Sequence, residues 1–282
     1  MAEEEEMLHR VCGIEYLRLG ANETPALLMR PDSPERHPGV VLQHGYGSKK
    51  EDLLPFAQDL AARGFVVLLA DAWGHGERFP TSGPTWMTEL SADYFFEVTR
   101  NTADDVRNGL SLLLERPEVQ TDQIVVGGFS MGAIVALLVG TEDERVSGVV
   151  SLAGAPLPDL LGVSIYGSKL AGEESRAYAF AHDAAAADHI GRFAPKPLLL
   201  SHGRRDDMVP VAGSERLYEA AKPFYAQHPE RLALKLYDHT HVVGEQQMRD
   251  AVAWITPFFR AAQQNDANDT SETQDTPIER AS

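Results

Sequence analysis

Cysteine is nearly absent from this chain: its 282 residues hold one, Cys12. No intramolecular disulfide can form and no cysteine-based metal site is available. A lone cysteine inside the strand-like run 11–19 reads as a small buried hydrophobe. Positive charge is scarce as well, with 25 Lys and Arg against 42 Asp and Glu and a formal net charge of −17. Nucleic-acid binding draws on clustered Lys and Arg to displace counterions, and adsorption to anionic lipid needs the same cations. The balance therefore argues against nucleic-acid and membrane partners and leaves neutral or cationic small molecules. No apolar run is long enough to span a bilayer. The start, Met1-Ala2-Glu3-Glu4-Glu5-Glu6, is the reverse of a basic signal-peptide leader, so the expected location is cytoplasmic.

What is present is ordinary for a globular protein, 43% hydrophobic and 24% charged, enough to bury a large core. Residues 1–7 and 263–282 are polar and read as disordered tails, because they hold too little apolar surface to offset their own ordering entropy. Residues 8–262 are expected to form a single domain. Within it, short apolar runs alternate with patterns of helical period. Strand-like runs lie at 39–43, 65–70, 123–129, 146–152, 197–201 and 232–237. Helical patterns lie at 52–63, 96–115, 131–139, 212–221 and 245–260, and Gly64 closes the first of them. Strands of this kind, most lacking polar alternation, predict a mostly parallel sheet of about eight strands covered by helices on both faces. The first two strands, near 8–19 and 25–30, have no helix between them and predict an antiparallel hairpin at one edge. Residues 155–192 interrupt the rhythm; they predict a small cap over a pocket or, second, a longer crossover.

Gly128-Phe129-Ser130-Met131-Gly132 carries the chemistry. This G-x-S-x-G directly follows the strand QIVVGGF and directly precedes the apolar helix MGAIVALLV. A serine on so tight a strand-to-helix turn is forced into a strained backbone conformation that needs small residues two positions to either side. The turn lifts the Ser130 hydroxyl above the sheet at a helix N-terminus, where developing negative charge is favoured. A nucleophilic serine needs a base, and the base an orienting acid. In open α/β sheets such groups lie at the carboxyl ends of strands. After 197–201 come His202-Gly203-Arg204-Arg205-Asp206-Asp207, and after 232–237 come Asp238-His239-Thr240-His241. The order Ser, Asp, His is thereby available, with Asp206 or Asp207 as acid and His239 or His241 as base. Oxyanion donors are expected in the backbone N–H of Met131 and, from the loop His44-Gly45-Tyr46-Gly47, that of Tyr46.

Taken together, HGYG, DAWGHGER, GGFSMG, HGRRDDMVP and YDHTH resemble the α/β-hydrolase superfamily, and within it the dienelactone-hydrolase-like and prolyl-oligopeptidase-like branch. The resemblance covers roughly residues 10–260 and implies the α/β-hydrolase fold. It implies Asp206 as the acid of the H-G-x-x-D-x-x-V-P pattern and His241 as the base, and it puts His75 and Gly76 in the pocket wall. Dienelactone hydrolases carry cysteine where this chain carries Ser130, and the large extra domain of the peptidases is not found in this sequence. The expected activity is accordingly carboxylic ester hydrolysis through an acyl-enzyme, of the carboxylesterase type, on a small-molecule ester and without a cofactor. Thioesterase, lactonase, deacetylase and amidase or peptidase chemistry on the same triad are alternatives. A metal hydrolase built on His239, His241, Asp206, Asp207 and His75, or a silent binding protein on this fold, are remoter ones. Trp73 and Trp86, with Phe79, Phe95 and Phe96, suggest a pocket for a short apolar acyl group. The chain is expected to be a monomer or homodimer.

Overall fold

The computed structural model describes residues 13–85, 87–88, 91–160, 164–165, 168–169 and 186–259. Trp86, Cys12 and the expected tails 1–7 and 263–282 lie outside the described residues. Eight strands form one sheet: β1 (Glu15–Leu19), β2 (Thr24–Met29), β3 (His37–Gln43), β4 (Val66–Ala70), β5 (Val119–Phe129), β6 (Gly148–Leu152), β9 (Leu198–Gly203) and β10 (Leu232–Tyr237). A separate antiparallel pair, β7 (Ser164–Ile165) and β8 (Ser168–Lys169), lies between β6 and β9 in the chain. The order across the large sheet is β1-β2-β4-β3-β5-β6-β9-β10. β1 and β2 form the expected antiparallel hairpin and β2 pairs antiparallel with β4, whereas every later pairing in the sheet is parallel.

Because strand side chains alternate faces, β3 and β4 feed two cores. Val41, Val66, Leu68 and Ala70 join one that contains α2 (Ala92–Glu115), α3 (Met131–Glu142), α4 (Ala186–Phe193) and α5 (Val211–Ala221). Val40, Leu42, Val67 and Leu69 join the other, which holds α1 (Leu54–Ala62), α6 (Glu245–Ile255) and Phe259. Helices thus cover both faces. α3 lies over the sheet centre and is buried from Met131 to Thr141, which is why its sequence is apolar all round instead of striped.

Several boundaries differ from the sequence reading. The first helix opens as a 3-10 turn, Lys50–Leu53, and becomes α-helical only at Leu54. Pro55 then occupies the first turn, where its missing N–H costs nothing. α2 begins at Ala92, four residues before the apolar pattern at Phe96, because the Ser91 side chain accepts from Tyr94 N–H and caps it. β5 starts early at Val119, and its pairing with β3 slips between Pro38 and Gly39, leaving the polar residues 121–123 as a bulge. The last helix ends at Ile255 and tightens into a 3-10 turn through Pro257, short of the expected residue 260. From the 155–192 stretch, the described part contains a 3-10 turn, Leu157–Leu160, the β7–β8 pair and α4. α4 buries Ile190 and Phe193 in the sheet-facing core and so serves as the crossover helix into β9. The rest of the stretch expected to form a cap, 161–163, 166–167 and 170–185, lies outside the described residues.

Candidate active site

Ser130 sits at the junction of β5 and α3 with φ 54° and ψ −119°. Backbone so far into positive φ costs a non-glycine residue of order 1–3 kcal/mol and persists only where its surroundings impose it. Here its N–H donates to Leu152 O at 2.9 Å while its C=O accepts from Ile134 N–H at 3.0 Å. The flanking glycines are required sterically. A Cβ on Gly132 would lie 1.9 Å from Gln43 O, and one on Gly128 would lie 2.5 Å from the same oxygen.

Beyond the carboxyl end of β10, the loop returns His241 to the serine. Its Nε2 lies 2.7 Å from Ser130 Oγ and its Nδ1 2.7 Å from Asp206 Oδ2. The Asp206 side chain is fully buried and that of His241 nearly so. Burial raises the Asp206 carboxyl, but hydrogen bonds from His202, His241 and Val209 N–H outweigh it and hold the group well below the usual carboxylate range. An ionised carboxylate only accepts, so Nδ1 of His241 carries the proton and Nε2 receives the Ser130 hydroxyl. Met208 and Val209 N–H donate to the other oxygen, Oδ1, at 3.0 and 2.8 Å, which fixes the carboxylate plane. The neighbouring candidates go elsewhere. Asp207 is exposed, and His239 stacks on Tyr237 with its Nδ1 2.9 Å from Thr240 O. Among the described residues, no group of three or more His, Cys, Asp and Glu side chains is arranged to hold a metal ion.

Two backbone segments converge beside the serine. Met131 opens α3, where the first N–H groups have no helical partner. From β3 comes His44-Gly45-Tyr46, so close that a Cβ on Gly45 would stand 3.4 Å from Ser130 Cβ. This loop is pinned by His44, whose Nε2 accepts from Ala72 N–H at 2.9 Å and whose Nδ1 lies 2.8 Å from Gly45 O. Burial pushes His44 down and keeps it neutral, as that bonding requires. Of the expected pocket residues, His75 is fully buried, with its ring edge-on to Tyr46 at 5.0 Å. Trp73 is partly exposed and tilts against Tyr94 at 6.0 Å. Trp86 lies outside the described residues.

Two supporting groups were not singled out from the sequence. Lys50 is 1% exposed and ion-pairs with Asp71, Glu51 and Glu77 at 2.8, 2.9 and 2.6 Å. Desolvation lowers this lysine, but the three carboxylates outweigh it and raise it. Asp71 also accepts from Glu77 N–H at 3.0 Å, so the cluster ties the DAWGHGER turn to the loop after β3. His202, the second, lies buried beneath Asp206, its Nε2 3.1 Å from Oδ2. A histidine four positions before the acid, at a strand end, was the available signal.

Residues 24–250 match the dienelactone hydrolase family. The chain is 28% identical over 204 residues to YitV of Bacillus subtilis (strain 168), covering 69% of this chain and 78% of that protein. It is 28% identical over 189 residues to the esterase YjfP of Escherichia coli (strain K12), covering 65% and 74% respectively. Among solved structures, TT1662 from Thermus thermophilus superposes with a TM-score of 0.71 at 26% identity, over 88% of this chain and 98% of that one.

Proposed function

The chain belongs to the dienelactone hydrolase family of α/β-hydrolases, and on that premise we propose that it is a serine esterase in which Ser130 forms an acyl-enzyme with small carboxylic esters. The observation that carries this reading is the unbroken hydrogen-bonded chain Ser130–His241–Asp206, built on a serine with φ 54°. Kinship with the esterase YjfP supports the ester as the scissile group.

In the reaction, Ser130 Oγ attacks the carbonyl carbon as its proton passes to His241 Nε2. Asp206 holds the imidazole in the tautomer that can receive it and offsets the charge that forms. The carbonyl oxygen, now anionic, is met by the backbone N–H groups of Met131 and Tyr46. Collapse of the tetrahedral species returns the proton from His241 to the leaving alcohol oxygen. Water, deprotonated by the same imidazole, then attacks the acyl-enzyme and releases the acid and free Ser130. Phe129 lies against His241 with ring centroids 5.2 Å apart, and Tyr46 is backed by Phe95 at 5.4 Å. Aromatic carbon packed on His241 and behind Tyr46 supports apolar acyl groups over charged ones. Residues 8–262 act as the catalytic unit.

The test is turnover of p-nitrophenyl esters from acetate to decanoate by wild type and Ser130→Ala. Wild type is expected to favour the short end, and the substitution to lower kcat by a factor approaching ~10⁶. Equal activity in both proteins would remove Ser130 from the mechanism.

A further inference from the structure

His202 holds a position that the Ser130–His241–Asp206 reading leaves unused. Its side chain is fully buried at the end of β9, and each ring nitrogen faces an oxygen. Nε2 lies 2.9 Å from Val209 O and 3.1 Å from Asp206 Oδ2. Both oxygens only accept, so Nε2 carries hydrogen. On the other side, Nδ1 lies 2.9 Å from Ser214 Oγ of α5. The Ser214 hydroxyl has a single hydrogen, and its oxygen is 2.7 Å from Gly154 O, another acceptor. If that hydrogen turned toward the ring, two bare oxygens would face each other at hydrogen-bond distance in a buried site. It therefore goes to Gly154 O, and Ser214 Oγ is left to accept from Nδ1. Every partner of the ring is then an acceptor.

We propose that His202 is protonated on both ring nitrogens and acts as a second, cationic partner of Asp206, a positioning residue that limits how strongly the carboxylate draws a proton onto His241. Asp206 Oδ2 is divided between two imidazoles, at 2.7 Å from His241 and 3.1 Å from His202. With His202 cationic, the buried carboxylate is already compensated in the resting enzyme and draws less on His241, whose Nε2 faces the Ser130 hydroxyl. The same arrangement explains how Asp206 remains ionised without solvent, since a buried charge needs a paired and hydrogen-bonded partner. Charged groups of the neighbouring segments are paired elsewhere or exposed. Arg216 of α5 pairs with Asp159, Arg205 pairs with Asp238 past β10, Asp207 is exposed, and His239 is turned to Thr240 O.

The inference rests on the triad reading for its catalytic consequence, though not for the protonation itself. Long-range ¹H–¹⁵N correlation on the uniformly labelled full chain reads the ring nitrogens directly, with His202→Gln supplying the assignment. Both His202 nitrogens are expected at protonated shifts at pH 7; one nitrogen at an acceptor shift there overturns the proposal. The pH profile of kcat/KM gives the consequence. Removing a neighbouring cation makes a base easier to protonate, so His202→Gln moves the acid limb upward by about one unit or more. A lower kcat with an unmoved acid limb marks a purely structural role and also overturns it. Should His202→Gln not fold, Ser214→Ala takes its place: loss of the Nδ1 acceptor lets His202 give up its cation, again with an upward shift. Retained activity in Ser130→Ala would sink the triad reading while leaving the nitrogen shifts of His202 to be judged on their own.

Discussion

Gly132→Ala adds one methyl group at the place where the structure has no room for it. The added carbon would stand 1.9 Å from Gln43 O, 2.5 Å from Gln43 C and 2.7 Å from His44 O. All three are backbone atoms, so no side chain can swing aside. A carbon and a carbonyl oxygen settle no closer than about 3.3 Å, so β3 and α3 must separate by more than ~1 Å. The two elements that part are those bearing Tyr46 N–H and Met131 N–H. Overpacking a tight core costs about 1–3 kcal/mol, which for a chain of this size lowers the melting temperature by roughly 2–12 °C. Misplacement of catalytic groups by 1 Å can cost ~10²-fold in rate. We therefore expect Gly132→Ala to fold, to melt lower and to lose about two orders of magnitude in kcat on p-nitrophenyl acetate. Gly13→Ala is the control, since nothing lies within 4 Å of its added carbon. Wild-type kcat and melting temperature in Gly132→Ala would refute the claim that the elbow's glycine holds the two oxyanion donors together.

Asp206→Asn presents an amide in place of an acceptor-only carboxylate and favours the wrong His241 tautomer; kcat should fall by about 10⁴, and a loss below tenfold in steady-state kinetics would contradict the assigned role. Lys50→Met strands the buried Asp71 and should cost about 3–5 kcal/mol in urea unfolding, whereas Glu77→Gln, at the exposed end of that cluster, should cost no more than about 1 kcal/mol. Buried His75 has its proton affinity pushed down by desolvation to about 4, from 6.5 when free. Between those values the unfolded chain binds more protons, so this group contributes no penalty above about pH 7 and up to roughly 3 kcal/mol below pH 4. His75→Gln should therefore flatten the fall in melting temperature between pH 7 and 4, and an unchanged slope would show that His75 is not buried neutral.

The parallel sheet and its helices were legible because the β3, β4 and β6 strands are apolar on both faces and flanked by glycines and helical stripes. β5 was legible only from Gln123 onward, since its first residues are polar and pair with β3 across a bulge that no periodicity announces. Proline positions were visible, but the 3-10 turns that precede Pro55 and contain Pro257 depend on how the helices meet the sheet. At the site, strand ends and chain order narrowed the choice to neighbouring pairs. Deciding between Asp206 and Asp207, or His239 and His241, on residues alone needs the loop path, which sets the direction each side chain faces. His202 and Lys50 were hidden for another reason: a buried polar group is recognisable only when its partners, 1 to 27 residues away in sequence, are seen around it.

The central claim is that Ser130 is the nucleophile, and a fluorophosphonate reports on it without assuming any substrate. Wild type, Ser130→Ala and His241→Ala would be incubated with the reagent and digested, and the modified peptide located by mass spectrometry. The account predicts a single adduct on Ser130 in the wild type, none in Ser130→Ala and a strongly slowed one in His241→Ala. Labelling of another residue, or ester turnover that persists in Ser130→Ala, would contradict it.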